Sequence, residues 1–136
     1  MNNRGFTLLE LLITIALLAV ISLISFVSVN KVIEQSKVKD CENLVLSIKS
    51  ATKEYVSDNR YKSNFDSDGN MKVTISGNDL ISGNYLTSTI VDPFTKSNIT
   101  PSSIMIDIGL NSDYSAKSVD VKNSSGNKIN CNNNRW

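Results

Sequence analysis

An uncharged run from Leu11 to Val29 constrains this chain more than any other feature. It holds about 19 residues, and a helix of that length measures roughly 28 Å, close to the hydrocarbon thickness of a bilayer. Its polar members are Thr14, Ser22, Ser25 and Ser28. Their hydroxyls can bond carbonyls one turn earlier, so they do not forbid insertion. Arg4 lies before the run and Lys31 after it, which fits a cytoplasmic N-terminus and an outside C-terminus. A cleaved secretory signal fits less well. The run is longer than an ordinary signal core, and Ser25-Phe26-Val27 and Val27-Ser28-Val29 are poor small-x-small sites. A plain signal anchor accounts for everything except Glu10, at the start of the run. An unpaired carboxylate entering lipid is costly. A cut just ahead of Phe6 would lower that cost, because the new α-amino group would be a cation within reach of a Glu10 on its own chain or a neighbour's.

Gly5-Phe6-Thr7-Leu8-Leu9-Glu10, followed by the apolar run and preceded by a short leader containing Arg4, resembles the class III leader of type IV pilins and pseudopilins. The resemblance covers roughly the first thirty residues. It implies a leader, residues 1–5, that a membrane-embedded prepilin peptidase removes between Gly5 and Phe6 on the cytoplasmic side. It implies methylation of the new amino terminus of Phe6. It also implies that Glu10 is the assembly glutamate, pairing with the Phe6 amine of an adjacent subunit as that subunit leaves the membrane for the fibre. The chain departs from many members by having Ala19 where they have Gly and Val27 where they have Pro. No helix breaker therefore lies between Phe6 and Asp58.

After Asn30 the helical pattern continues and becomes amphipathic. Val38, Cys41, Val45, Ile48 and Tyr55 recur at three- and four-residue steps, with Leu44 and Ala51 beside them. Lys37, Lys39, Asp40, Glu42, Lys49, Lys53 and Glu54 take the other faces. One helix from Phe6 to about Ser57 would measure roughly 78 Å. Residues 6–30 would form its membrane or fibre-assembly half. Residues 31–136 would form a head, in which the amphipathic half of the helix carries a small antiparallel sheet. The expected fold class is α+β, the pilin fold.

The sheet is legible as short alternating segments. Met71 to Ile75 is one strand candidate. Ile104, Ile106, Ile108 and Leu110 alternate with Met105, Asp107 and Gly109, the pattern of a half-buried strand. Val119 and Val121 alternate with Ser118, Asp120 and Lys122, residues 123–127 form a turn, and Ile129 and Cys131 continue as a last strand. A short helix capped by Asn78 or Asp79 is expected over Asn78 to Tyr85. Tyr85-Leu86 followed by Asp92-Pro93-Phe94 resembles a connector of many pilins and pseudopilins.

Cys41 lies on the apolar helix face and Cys131 shares a strand face with Ile129, so both sulfurs point to one core. A head outside the cytoplasm is in a compartment where disulfides persist. A Cys41–Cys131 disulfide is expected, the alternative being two buried free thiols. Asn64, Asp66 and Asp68 before Gly69 look like the start of a calcium loop. The twelfth position is Ile75 rather than Glu, and Asp, Asn and Gly are also ordinary turn residues, so a plain turn is the stronger reading. Asn98-Ile99-Thr100 and Asn123-Ser124-Ser125 fit the glycosylation triplet, which arises by chance in Asn- and Ser-rich chains.

Composition excludes several functions. The chain has no histidine, which removes the commonest general base and the commonest zinc ligand. Neither cysteine lies in a CxxC pair, and no Gly-rich phosphate loop is present. Fourteen basic residues nearly cancel 13 acidic ones, so no field exists to draw in nucleic acid. No enzyme activity, cofactor or resident metal is expected. The leading reading is a type IV pilin that polymerises with its own copies and other pilins through its N-terminal helix. Its partners would be the prepilin peptidase, the pilus assembly machinery and, before assembly, the cytoplasmic membrane. It would end in an extracellular filament serving adhesion, surface motility or aggregation. The alternative is a pseudopilin of a type II secretion or DNA-uptake system. A third reading, a bitopic anchor with a small binding head, leaves Glu10 unexplained.

Overall fold

The computed structural model of the chain describes residues 6–59 and 71–133, the side chains at 24–28, 59 and 133 excepted. It divides into two compact units, Met1–Ser36 and Lys37–Trp136, and helix α1 (Leu8–Asn59) contributes to both. A long N-terminal helix and a small antiparallel sheet in the C-terminal half make the expected α+β, pilin-like arrangement.

In the first unit the described side chains of α1 are exposed, from Leu8 (81%) through Leu17, Leu18 and Ile21 to Leu23 (73%). Two of the run's hydroxyls bond back as expected, Thr14 Oγ1 to the Leu11 carbonyl at 2.8 Å and Ser22 Oγ to the Leu18 carbonyl at 2.7 Å. The expected membrane span is not found in the described part of the chain. Among the described residues, no helix is long and apolar enough to cross a membrane.

In the second unit α1 buries one stripe. Cys41, Ile48, Ala51, Thr52 and Val56 are buried, while Val38, Leu44, Val45 and Tyr55 are half-buried. Thr52 and Val56 continue the spacing of Ile48 by one and two turns. The Thr52 hydroxyl is tolerated there because it bonds the Ile48 carbonyl at 2.7 Å.

A three-stranded sheet completes the core: β1 (Lys72–Ser76), β4 (Met105–Leu110) and β5 (Ala116–Lys122), in the order β1-β4-β5 and antiparallel throughout. Ile75, Ile106 and Val121 lie in one cross-strand row. They are buried with Ile104, Ile108, Leu110 and Val119 in one cluster with the α1 stripe. The alternation read from sequence is therefore the inside-outside alternation of the sheet.

The outer face is polar. Thr74, Asp107 and Asp120 stand side by side on the three strands. Directly opposed carboxylates repel, and two cations relieve this pair. Lys122 bonds Asp107, and Lys128 meets Asp120 at 2.9 Å. The Lys122 hydrogen bond, reinforced by the Thr74 hydroxyl at 2.8 Å, holds the Asp107 carboxyl below its ordinary value of 3.8. Asp107 in turn raises the Lys122 amine above its ordinary 10.5. A depressed acid stabilises the fold above its unfolded pKa and loses that contribution as pH falls through the folded one. This cross-strand bond should therefore weaken on acidification below pH 3.8 and, on the Lys122 side, above pH 10.5. Urea melts across the acid limb should show a shallower loss for Asp107→Asn than for the native chain.

The excursion between β1 and β4 holds α2 (Gly77–Ser82), the short pair β2 (Ile90–Val91) and β3 (Asn98–Ile99), and a 3-10 turn at Pro101–Ser103. Two expectations are corrected here. The cap of α2 is Ser76, one turn before Asp79. The Asp79 carboxylate accepts the Ser76 N–H at 2.7 Å and its hydroxyl at 2.8 Å, the acceptor half of a capping box. The helix ends at Ser82, before Tyr85. Asp92 serves as the hub of the β2–β3 loop, accepting the Phe94 N–H at 2.8 Å and the Thr95 hydroxyl at 2.7 Å.

Gly77 is the tight point. A Cβ there would lie 2.7 Å from the Pro101 carbonyl oxygen and 3.3 Å from the Ile104 Cβ. Its N–H bonds the Ile104 carbonyl at 2.9 Å, so the backbone cannot simply move away. Gly77→Ala should destabilise this unit by about 1–3 kcal/mol, the usual range for overpacking, and chemical denaturation measures it.

The expected last strand is also corrected. After the 123–127 turn the chain makes an isolated bridge, Lys122 with Lys128, and an Ile129 N–H bond to the Val121 carbonyl at 3.2 Å. Cys131 then opens a 3-10 turn, Cys131–Asn133. The Asn130 side chain accepts the Asn132 N–H at 3.1 Å, a local turn that competes with continued pairing.

Candidate functional site

The first turn of α1 carries the residues singled out by sequence. Phe6 is 81% exposed, and Leu8 opens the helix. Thr7 caps it: the Glu10 N–H donates to Thr7 Oγ1 at 3.2 Å, and the Leu11 N–H to the Thr7 carbonyl at 3.2 Å. Glu10 answers reciprocally. Its Oε2 accepts the Thr7 N–H at 3.3 Å and the Thr7 hydroxyl at 3.4 Å. This is a complete capping box, and it satisfies helix-terminal donors that otherwise lack partners. The carboxylate also sits where the helix dipole is positive.

The partner of Glu10 in the described chain is thus Thr7, a residue that sequence reading left without a role. The signal was present as the Thr-x-x-Glu spacing, which is the capping-box spacing. Both bonds fall on Oε2, and an ionised carboxylate offers about four lone-pair sites, so capacity remains for a further cation. Gly5 and Arg4 lie outside the described residues, as do Asn64, Asp66 and Asp68 of the calcium candidate, the segment 61–70 and Trp136. Among the described residues no cluster of three or more His, Cys, Asp or Glu could hold a metal ion.

The two cysteines are joined. Cys41 and Cys131 form a disulfide with Cα atoms 5.7 Å apart across a sequence separation of 90. Cys41 is fully buried on the helix stripe, and Cys131 is half-buried at the start of its 3-10 turn. Two inward-pointing positions met as expected, although one of them is not on a strand.

A second fixed feature closes the other end of the α1 stripe. Tyr55 and Tyr85 meet edge to face at 5.4 Å between centroids, and the Tyr85 hydroxyl donates to Asp58 Oδ2 at 2.8 Å. Neither contact exposes reactive chemistry, and both serve to hold the loop after α2 against the helix.

Residues 1–26 match a known family description, the prokaryotic N-terminal methylation motif. That motif is the class III signal of type IV pilins and pseudopilins, and it covers residues 1–5, Glu10 and the first part of the apolar run. Comparison with curated proteins and with solved structures finds no match.

Proposed function

From this class III signal we propose that the chain is a type IV pilin, a structural subunit that polymerises through its N-terminal helix into a cell-surface filament. The signal indicates processing by a prepilin peptidase and assembly into pilus-like filaments, and a structural rather than enzymatic role. The observation that carries the reading is the match over residues 1–26, with Glu10 held at the first turn of a long helix whose described apolar side chains before Lys37 are exposed. Exposed leucines and isoleucines in such density need either lipid or copies of the same helix to cover them. A subunit that first sits in a membrane and then packs into a fibre uses both in turn. On this reading the peptidase cuts between Gly5 and Phe6, the Phe6 amine is methylated, and the second unit is carried outside the cell.

The intact mass of protein sheared from the surface of native cells tests this. A chain beginning at Phe6, heavier by one methyl group and lighter by the two hydrogens of the disulfide, is the expected result. A chain still carrying Met1–Gly5, found only in the membrane fraction, would show instead a simple anchor with a displayed head.

A further inference from the structure

The hairpin joining β4 to β5 contains a residue that its backbone does not favour. Asn111–Ser115 is a tight loop closed by the Asn111 N–H to the Ser115 carbonyl and the Tyr114 N–H to the Asn111 carbonyl, each 2.9 Å. Tyr114 has φ +65°, the left-handed region. Loops of this kind place glycine or asparagine there, because a Cβ in that conformation crowds the backbone. A bulky aromatic at positive φ is a true outlier, and such strain collects at functional positions. The ring is not spent on the core, being 41% exposed.

Tyr114 borders a cavity of about 600 Å³ within the second unit, lined also by Lys53 and Val56 of α1 and by Asp113 and Ala116 of the hairpin. The size falls within the range of small-molecule sites, roughly 300–1,000 Å³. Among its described lining residues the charged groups are Lys53 and Asp113, which are of opposite sign. Asp113 accepts the Ser115 N–H at 3.0 Å and the Ser115 hydroxyl at 2.6 Å, both through Oδ1. Those bonds hold its carboxyl below the ordinary value, so it stays an acceptor with lone pairs to spare.

We propose that this cavity is a binding site for a neutral sugar, with the Tyr114 ring as its stacking platform. The face of an aromatic ring carries partial negative charge, and the axial C–H groups of a pyranose present partial positive charge to it. Asp113 accepts hydrogen bonds from sugar hydroxyls, and the Lys53 ammonium donates to them. Ala116, half-buried, supplies a small apolar contact. The site stands on the second unit alone and does not depend on the filament reading.

The test uses the intact chain in a zwitterionic detergent that contains no sugar. It is screened against neutral oligosaccharides of glucose, galactose and N-acetylglucosamine, and against matched sugars bearing uronic or sialic acid. Binding of a neutral sugar, with NMR saturation transfer reaching the tyrosine ring, is expected. Tyr114→Gly should leave the melting temperature unchanged or higher, since glycine suits that φ. It should weaken binding about tenfold or more, as loss of an aromatic contact does. Tyr114→Phe should retain binding. Should Tyr114→Gly melt lower, Tyr114→Asn, also at ease in the left-handed region, repeats the comparison. No neutral sugar bound, a preference for the acidic sugars, or unchanged binding after loss of the ring overturns the proposal.

Discussion

Chains carrying Glu10→Ala or Glu10→Val are expected to enter the membrane normally and to yield no filament. On the filament reading the Glu10 carboxylate meets the Phe6 ammonium of a neighbour inside a packed helical core. Removing one member of a buried charge pair costs about 3–5 kcal/mol, because the other charge is left without compensation. Every subunit contact along a filament would bear that cost. In the described chain the same carboxylate already accepts two bonds from Thr7, so two roles must be separated. Glu10→Gln does so. Its amide oxygen can still accept the Thr7 N–H and keep the helix start, but it carries no charge to answer the amine. Filament yield by shearing, with the membrane-fraction content as control, should fall to background for Gln as it does for Ala. Native yield from Glu10→Gln would assign Glu10 to capping alone.

Loss of the disulfide is the second large effect. In the chain-entropy account, opening a loop of about 90 residues costs roughly 4–5 kcal/mol of stability. Domains are commonly stable by only about 5–15 kcal/mol, so the second unit would lose a large share. The Cys41→Ala/Cys131→Ala chain should show that loss in urea denaturation, and the native chain under strong reductant should match it apart from the small change in packing at Cys41. Cys41 makes the comparison demanding. It is fully buried among the helix stripe, so part of the variant's loss is cavity rather than loop. A loss well under 1 kcal/mol in both would mean that the bond is dispensable because the residues around it already restrict the unfolded chain.

Much of this molecule is written in local periodicity. The α1 stripe through Cys41, Ile48 and Ala51 follows from three- and four-residue spacing. The buried faces of β4 and β5 follow from alternation, since Ile106, Ile108 and Val121 could not face water together without cost. The leader motif was legible for a different reason, being a short pattern in which position, spacing and following hydrophobicity must agree. Local bonding decided what periodicity missed. Ser76 rather than Asn78 or Asp79 caps α2 because the Asp79 carboxylate reaches back to it, a pairing that competes with other caps one or two residues away.

What the sequence by itself determined is therefore the set of elements and the side each one turns inward, because a helix or strand that buries an apolar face repeats it at a fixed interval. Tertiary structure alone decided that β4 lies between β1 and β5 across the long 77–103 excursion. It also decided that Thr52 is core. These outcomes rest on contacts between residues far apart in the chain, where neighbour order, pairing partner and the burial of a helix face depend on what arrives from elsewhere. Periodicity within a segment carries no record of that.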